Sequence, residues 1–138
     1  MVQRIVVVGA SLAGLRAVET LRDRGFDGAL TLIGDEPHRP YDRPPLSKQV
    51  IQGTWEPEQT LFRRKDGYDA LALDMRLGVR ATSVDLRARR VMLADGTFAD
   101  YDRLIIATGA RVRALPGIAP RAGLLVLRSL DEIGRAHV

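Results

Sequence analysis

The chain has 138 residues, of which 46% are hydrophobic and 28% charged, the balance of a soluble globular domain able to bury a core. The absence of Cys excludes a disulfide framework, a thiolate zinc site and a Cys-ligated iron–sulfur cluster within it, and two His do not make a usual metal site, so no metal is expected. The net charge of +4 rests on 19 Arg and two Lys, but these are scattered. The densest cluster, Arg63-Arg64-Lys65, has Asp66 beside it and Phe62 as its only aromatic neighbour, so a surface bias is expected and a nucleic-acid role is not.

In chain order, Ile5-Val6-Val7-Val8 is a β-branched run of the kind buried on both faces of a parallel sheet. Because it begins almost at Met1, no signal peptide is expected, and no apolar run approaches the roughly 20 residues of a membrane helix. Leu12 to Arg24 follows with Leu15, Val18 and Leu21 at helical spacing and small residues at Ala13, Gly14 and Ala17. Leu30 to Ile33 is a second strand, closed by Gly34. Together these predict one βαβ unit from Arg4 to Asp35.

Glu36 to Thr60 holds five of the seven Pro and little periodicity, the signature of a functional or disordered loop, with a short helix expected at Leu46–Ile51. The spacing of Tyr68, Leu71 and Met75 predicts a helix from Lys65 to Met75, ended by Gly78. Val84, Leu86, Val91 and Leu93 alternate with polar residues, and Asp95-Gly96 is a hairpin signal, so an antiparallel excursion is expected around Val79 to Arg103. Leu104-Ile105-Ile106 reads as a second buried strand and Leu124–Leu127 as a short final one.

Gly9-Ala10-Ser11-Leu12-Ala13-Gly14 occupies the strand-to-helix turn. A dinucleotide pyrophosphate there needs a tight turn at Gly9, backbone approach, and close helix–strand packing at Gly14, with the N–H groups of the helix N-terminus aimed at it. Ser11 departs from the usual second Gly. Asp35, with Glu36 beside it, stands where a carboxylate accepts hydrogen bonds from the adenosine ribose and disfavours a 2′-phosphate. Ala107-Thr108-Gly109 ends a strand with residues small enough for a cofactor to approach. Tyr41, Trp55 and Tyr68 read as packing residues before stacking platforms, and His38 as a loop residue before a base.

Four blocks in order resemble the FAD-dependent NADH:ferredoxin reductases that serve oxygenases and cytochromes P450, within the pyridine nucleotide-disulfide oxidoreductase superfamily. They are Val7 to Gly14, Gly34 to Lys48, Val91 to Gly96, and Tyr101 to Gly109 with Arg128 beyond. The most specific is Pro40-Tyr41-Asp42-Arg43-Pro44-Pro45-Leu46-Ser47-Lys48, placed where disulfide-reducing relatives carry a Cys pair. The resemblance implies an α/β, Rossmann-like FAD-binding domain of the glutathione-reductase type, incomplete here. It implies electron flow from NADH through FAD to a ferredoxin- or rubredoxin-type iron–sulfur partner, in the cytoplasm, without nucleic acid or membrane.

By the same resemblance, Gly9, Ser11, Leu12, Ala13 and Gly14 would meet the pyrophosphate, and Asp35, with Glu36, the ribose. The backbone near Ala81 would meet the adenine. Arg43 and Lys48 would lie on the flavin side. Thr108 and Gly109 would line the channel, and Arg128 would reach the ribityl–phosphate part. Lys48 is the catalytic candidate. An ammonium at about 4 Å, with an effective dielectric of about 20, favours an anionic reduced flavin by ~4 kcal/mol at most, of the order of 90 mV for two electrons. Val112 stands where Pro often follows Thr-Gly in the family.

Ile133-Gly134-Arg135-Ala136-His137-Val138 resembles the translation of a sequencing adapter, so the native sequence is expected to end at Asp131 or Glu132, with residues 1–131 the front part of an FAD-binding domain and 132–138 a non-native tail. A natural helix end is the other reading of those residues. Neither a second glycine fingerprint for NADH nor a later Gly-Asp flavin element is present. Two rival assignments are another NADH-dependent flavin reductase, such as a nitrite-reductase subunit or an apoptosis-inducing-factor-like protein, and an ADP- or NAD-binding module without redox function.

Overall fold

The computed structural model describes residues 1–63, 66–113, 115–119 and 121–136, with no side-chain account of 134–136. Arg64 and Lys65 of the basic cluster, and His137 and Val138 of the tail, lie outside the described residues. The chain divides into two compact units, one made of Met1–Pro40 and Phe62–Thr108, the other of Tyr41–Leu61 and the described residues from Gly109 onward.

The first unit is built on a four-stranded parallel sheet. β1 (Arg4–Val8) leads into α1 (Leu12–Asp23) and β2 (Ala29–Gly34), the expected βαβ unit. β3 (Leu73–Leu77), β4 (Ala81–Asp85), β5 (Arg90–Leu93), β6 (Phe98–Asp100) and β7 (Arg103–Ile106) follow. The parallel sheet runs β3-β2-β1-β7, while β4-β5-β6 form a separate antiparallel sheet. β1 is thus flanked by a strand that follows it directly and by one from the far end of the unit, Val7 facing both Leu32 and Ile105.

Both faces of β1 are covered, which explains its unbroken apolar run. On one face Ile5, Val7, Leu30 and Leu32 pack with Leu15 and Val18 of α1 and with Leu71. On the other, Val6 and Ile33 pack with Val91, Leu93, Ala99 and Tyr101 of the antiparallel region. The period of two along the strands sends alternate residues to the two cores. Asp102 fastens the start of the sheet by accepting from the backbone N–H groups of Gln3 (2.8 Å) and Arg4 (2.9 Å). These two donors hold its carboxyl below the ordinary carboxylate range.

Four sequence expectations are corrected, three of them as follows. Lys65–Met75 is not a helix: in its described part a single 3₁₀ turn, Asp69–Leu71, ends at Ala72 in the left-handed region (φ 45), and β3 begins at Leu73. Leu73, Met75 and Leu77 alternate with Asp74 and Arg76, and pairing to β2 selects that period over the helical one. β7 is half-buried rather than buried, with Ile106 70% exposed, because it lies at the end of the sheet among the described residues. Leu124–Leu127 forms no strand: it pairs with none of the described strands. The Asp95-Gly96 turn stands as expected, with Gly96 at φ 84 joining β5 to β6.

In the second unit, Pro44–Ser47 is a 3₁₀ turn, followed by further turns to Gly53, in place of a helix at Leu46–Ile51. Two Pro at the start preset the backbone φ but remove two donors, which suits a short tight turn better than a regular helix. A second 3₁₀ turn spans Pro57–Thr60, and α2 spans Leu130–Ala136. Tyr41, Leu46, Val50 and Ile133 form this unit's core, with Trp55, Leu61, Leu127 and Leu130 against it. Among the described residues no helix is long and apolar enough to cross a membrane.

Candidate functional site

At the end of β1 the backbone is folded so closely that only Gly fits. Gly9 has φ +119, and a Cβ there would lie 2.1 Å from the carbonyl O of Ala107. A Cβ on Gly14 would lie 1.8 Å from the carbonyl O of Gly9. Gly9 N–H donates to Ile33 O (2.8 Å), and Ala107 N–H donates to Val8 O (2.7 Å), so the turn is pinned to both neighbouring strands. The result places the start of α1 and the exit of β7 side by side at the carboxyl ends of the parallel strands, where open α/β sheets bind ligands.

Ser11 is the N-cap of α1, with extended backbone, and its side chain makes no capping hydrogen bond. Its carbonyl accepts the first helical bond, from Leu15 N–H at 2.9 Å. The N–H groups of Leu12, Ala13 and Gly14 therefore have no intrahelical acceptor, and no acidic residue stands in the first turn to compete for them. Leu12 and Ala13 are exposed, as is Thr108 across the turn. This cradle fits the diphosphate of a dinucleotide: free donors, a positive helix end, and no Cβ in the way at Gly9.

Asp35 follows β2 directly and is exposed, with Glu36 half-buried beside it. Glu36 O accepts from Gly78 N–H (2.9 Å) and Gly34 O from Val79 N–H (3.1 Å), which ties the loop after β3 to this corner. Ala81 opens β4 just beyond, next to a register shift between Ala81 and Ser83 that leaves Thr82 Oγ1 donating to Met92 O (3.2 Å). The first unit thus brings together Gly9, Ser11, Leu12, Ala13, Gly14 and Thr108 at one turn, and Asp35, Glu36 and Ala81 at the adjoining corner. Sequence reasoning missed Arg80, whose Nη2 lies 3.4 Å from Asp35 Oδ2. Only a lone basic residue between Gly78 and the next strand could have pointed to it.

In the second unit, Arg43, Gly109 and Arg128 come together. Arg43 Nη1 donates to Tyr41 Oη (3.0 Å) and to Arg128 O (2.8 Å), and its guanidinium lies over the Tyr41 ring. Gly109 has φ +69, and a Cβ there would lie 3.5 Å from Arg128 Nη2. The Arg128 backbone N–H donates to Glu132 Oε2 (2.5 Å). Lys48 is exposed and closes the 3₁₀ turn, its N–H donating to Pro45 O (3.1 Å). Tyr41 and Trp55 belong to this unit's packing, as the sequence suggested, while Tyr68 packs in the first unit and donates to Phe62 O (2.9 Å). Among the described residues no group of His, Asp and Glu is arranged to hold a metal.

Such a glycine turn, helix start and acid on the next strand define a dinucleotide-binding α/β fold. The chain belongs to the pyridine nucleotide-disulphide oxidoreductase family, whose model matches residues 3–137. It is similar to rhodocoxin reductase of Rhodococcus erythropolis, with 41% identity over 133 residues, 96% of this chain and 31% of that protein. It is also similar to the ferredoxin reductase component of chlorobenzene dioxygenase from Cupriavidus sp. (strain PS12), with 39% identity over 96% of this chain and 32% of that one. Among solved structures, the covalent putidaredoxin reductase–putidaredoxin complex matches with a TM-score of 0.86 and 34% identity, over 96% of this chain and 33% of that one. The chain spans about a third of the length of these relatives.

Proposed function

We propose that this chain is the front part of a cytoplasmic FAD-dependent reductase that carries electrons from NADH to a ferredoxin- or rubredoxin-type iron–sulfur protein. The observation that carries the reading is the Gly9–Gly14 cradle, with Asp35 at the next strand end, in a chain whose relatives are ferredoxin reductases. Bound FAD would supply the chemistry, accepting a hydride and releasing single electrons. The N–H groups from Leu12 to Gly14 would hold its pyrophosphate and Asp35 its adenosine ribose. The backbone at Ala81 would meet the adenine, and Thr108 and Gly109 would border the channel. Arg128 would bind the ribityl–phosphate part and Lys48 would supply charge on the flavin side. Arg43, engaged with Tyr41 and Arg128, would act by holding its loop. The NADH domain would lie in sequence beyond residues 1–131, with 132–138 a non-native tail. No disulfide exchange takes part in this chain, which has no Cys.

The test is flavin retention and NADH-dependent ferredoxin reduction by the longer protein read from the source DNA. Asp35→Ala should weaken FAD binding by about 1–3 kcal/mol, the scale of a lost charge-assisted hydrogen bond. Unchanged affinity would move that role to Glu36. A second reading, an adenine-nucleotide-binding module without redox function, is favoured by one feature: everything assembled in the first unit suits the adenosine diphosphate half of a cofactor. Retention on ADP resin by a longer protein that takes up no flavin would establish it.

A further inference from the structure

Asp35 is expected to reject a phosphate on the adenosine ribose, yet a guanidinium stands against it. Arg80 Nη2 is 3.4 Å from Asp35 Oδ2, and the two side chains are 56% and 54% exposed. So long and exposed a pair does little to hold the fold. The backbone around Arg80 is nevertheless firmly placed. Val79 N–H donates to Gly34 O, and Arg80 O accepts from Ala94 N–H at 2.9 Å, so the residue is clasped between the end of β2 and the β5–β6 turn. A guanidinium has five donors in a fork that matches phosphate as well as carboxylate.

We propose that Arg80 is a specificity residue of the adenosine site, a latent 2′-phosphate receptor that the Asp35 carboxylate masks. This rests on the adenosine reading given above. With Asp35 ionised, its charge repels a 2′-phosphate and occupies the guanidinium, so the site takes an unphosphorylated ribose. With that charge removed, the same guanidinium is released at the same corner and favours the phosphate. Arg80 also fixes one oxygen of Asp35, which steadies the carboxylate for the ribose hydroxyls.

The test compares ADP-ribose with 2′-phospho-ADP-ribose, which differ only in that phosphate, by calorimetry on the full 138-residue chain. Wild type should prefer ADP-ribose. Asp35→Asn should shift the ratio of affinities toward the phosphorylated ligand by about tenfold, and the gain should shrink as salt rises. Asp35→Asn combined with Arg80→Gln should lose that gain, and Arg80→Gln alone should weaken ADP-ribose by about threefold at most. Equal ratios in Asp35→Asn and the double variant would overturn the role of Arg80 while leaving the adenosine site intact. Failure of the wild-type chain to bind either ligand would overturn the adenosine reading itself. Since the pair is exposed, thermal unfolding of the variants should match wild type. If Asp35→Asn does not fold, Asp35→Ser gives the same comparison.

Discussion

Replacing Gly14 by Ala separates this site from an ordinary helix. Position 14 lies in the first turn of α1, where Ala is normally preferred to Gly by about 1 kcal/mol. Here the added Cβ would sit 1.8 Å from the carbonyl O of Gly9, and contacts below 3.0 Å essentially never occur. Backbone must therefore open by about 1.2 Å, the difference between those two distances. Neither partner can yield like a flexible side chain, because Gly9 is itself held by Ile33 O and enclosed by Ala107. Overpacking of this kind costs about 3 kcal/mol at the upper end of the usual range. After the gain in helix propensity, a net loss of about 2 kcal/mol remains. For a chain of this size the melting temperature should fall by roughly 6–10 °C in differential scanning calorimetry. Gly96→Ala is the control: it meets nothing within 4 Å and should cost only the left-handed backbone term, about 1 kcal/mol. Gly14→Ala should also weaken adenine-nucleotide binding more than Gly96→Ala does. A Gly14→Ala protein as stable as wild type, or more so, would refute the close approach of α1 to the β1 turn.

Asp102, with its pKa lowered by the Gln3 and Arg4 donors, contributes stability that is fully present above its ordinary value of 3.8 and is lost as pH falls through its lower folded value. Urea midpoints taken from pH 6 down to about pH 2 should fall less in Asp102→Asn than in wild type, and parallel curves would contradict the assignment. Leu32→Ala, at a fully buried position of β2 in the core shared with α1, should cost about 2–5 kcal/mol, whereas Leu86→Ala, 78% exposed, should stay within about 0.5 kcal/mol. On the proposed function, Lys48→Met in a longer flavin-binding protein should lower the flavin potential by up to about 90 mV without releasing FAD, and spectroelectrochemical midpoints within about 10 mV of each other would place Lys48 in solvent.

The parts of the fold that rest on local pattern were legible. Ile5–Val8, Leu12–Arg24 and Leu30–Ile33 carry their periods within a few residues, and the Gly9–Gly14 spacing follows from the closeness the turn requires. What depends on distant pairing was not. Residues 68–77 contain both a helical spacing (Tyr68, Leu71, Met75) and a strand alternation (Leu73, Met75, Leu77), and only the edge of β2, about 40 residues earlier, decides between them. Leu124–Leu127 has strand-like composition but pairs with none of the described strands, so composition misled. The place of Asp35 directly after β2 was legible from its distance to the glycine turn. Arg80 was not, because it reaches Asp35 across 45 residues of chain, through the parallel pairing of β2 and β3.

The strand order has a kinetic meaning. One wall of the glycine turn, α1 with β2, is local and can form while the chain is short. The other wall, Ala107 and Thr108, arrives only when β7 docks, and the contact that seals it, Ala107 N–H to Val8 O, joins the two ends of the unit in sequence. Closing so long a loop carries an entropic penalty that pairing repays only afterwards, so the parallel β1–β7 seam belongs among the slow, late contacts. A nascent chain that has not yet released residue 108 would hold half a cradle. On the proposed function, nucleotide capture would report the docking of β7, and a ligand that spans the turn would bias the chain toward its closed state by mass action.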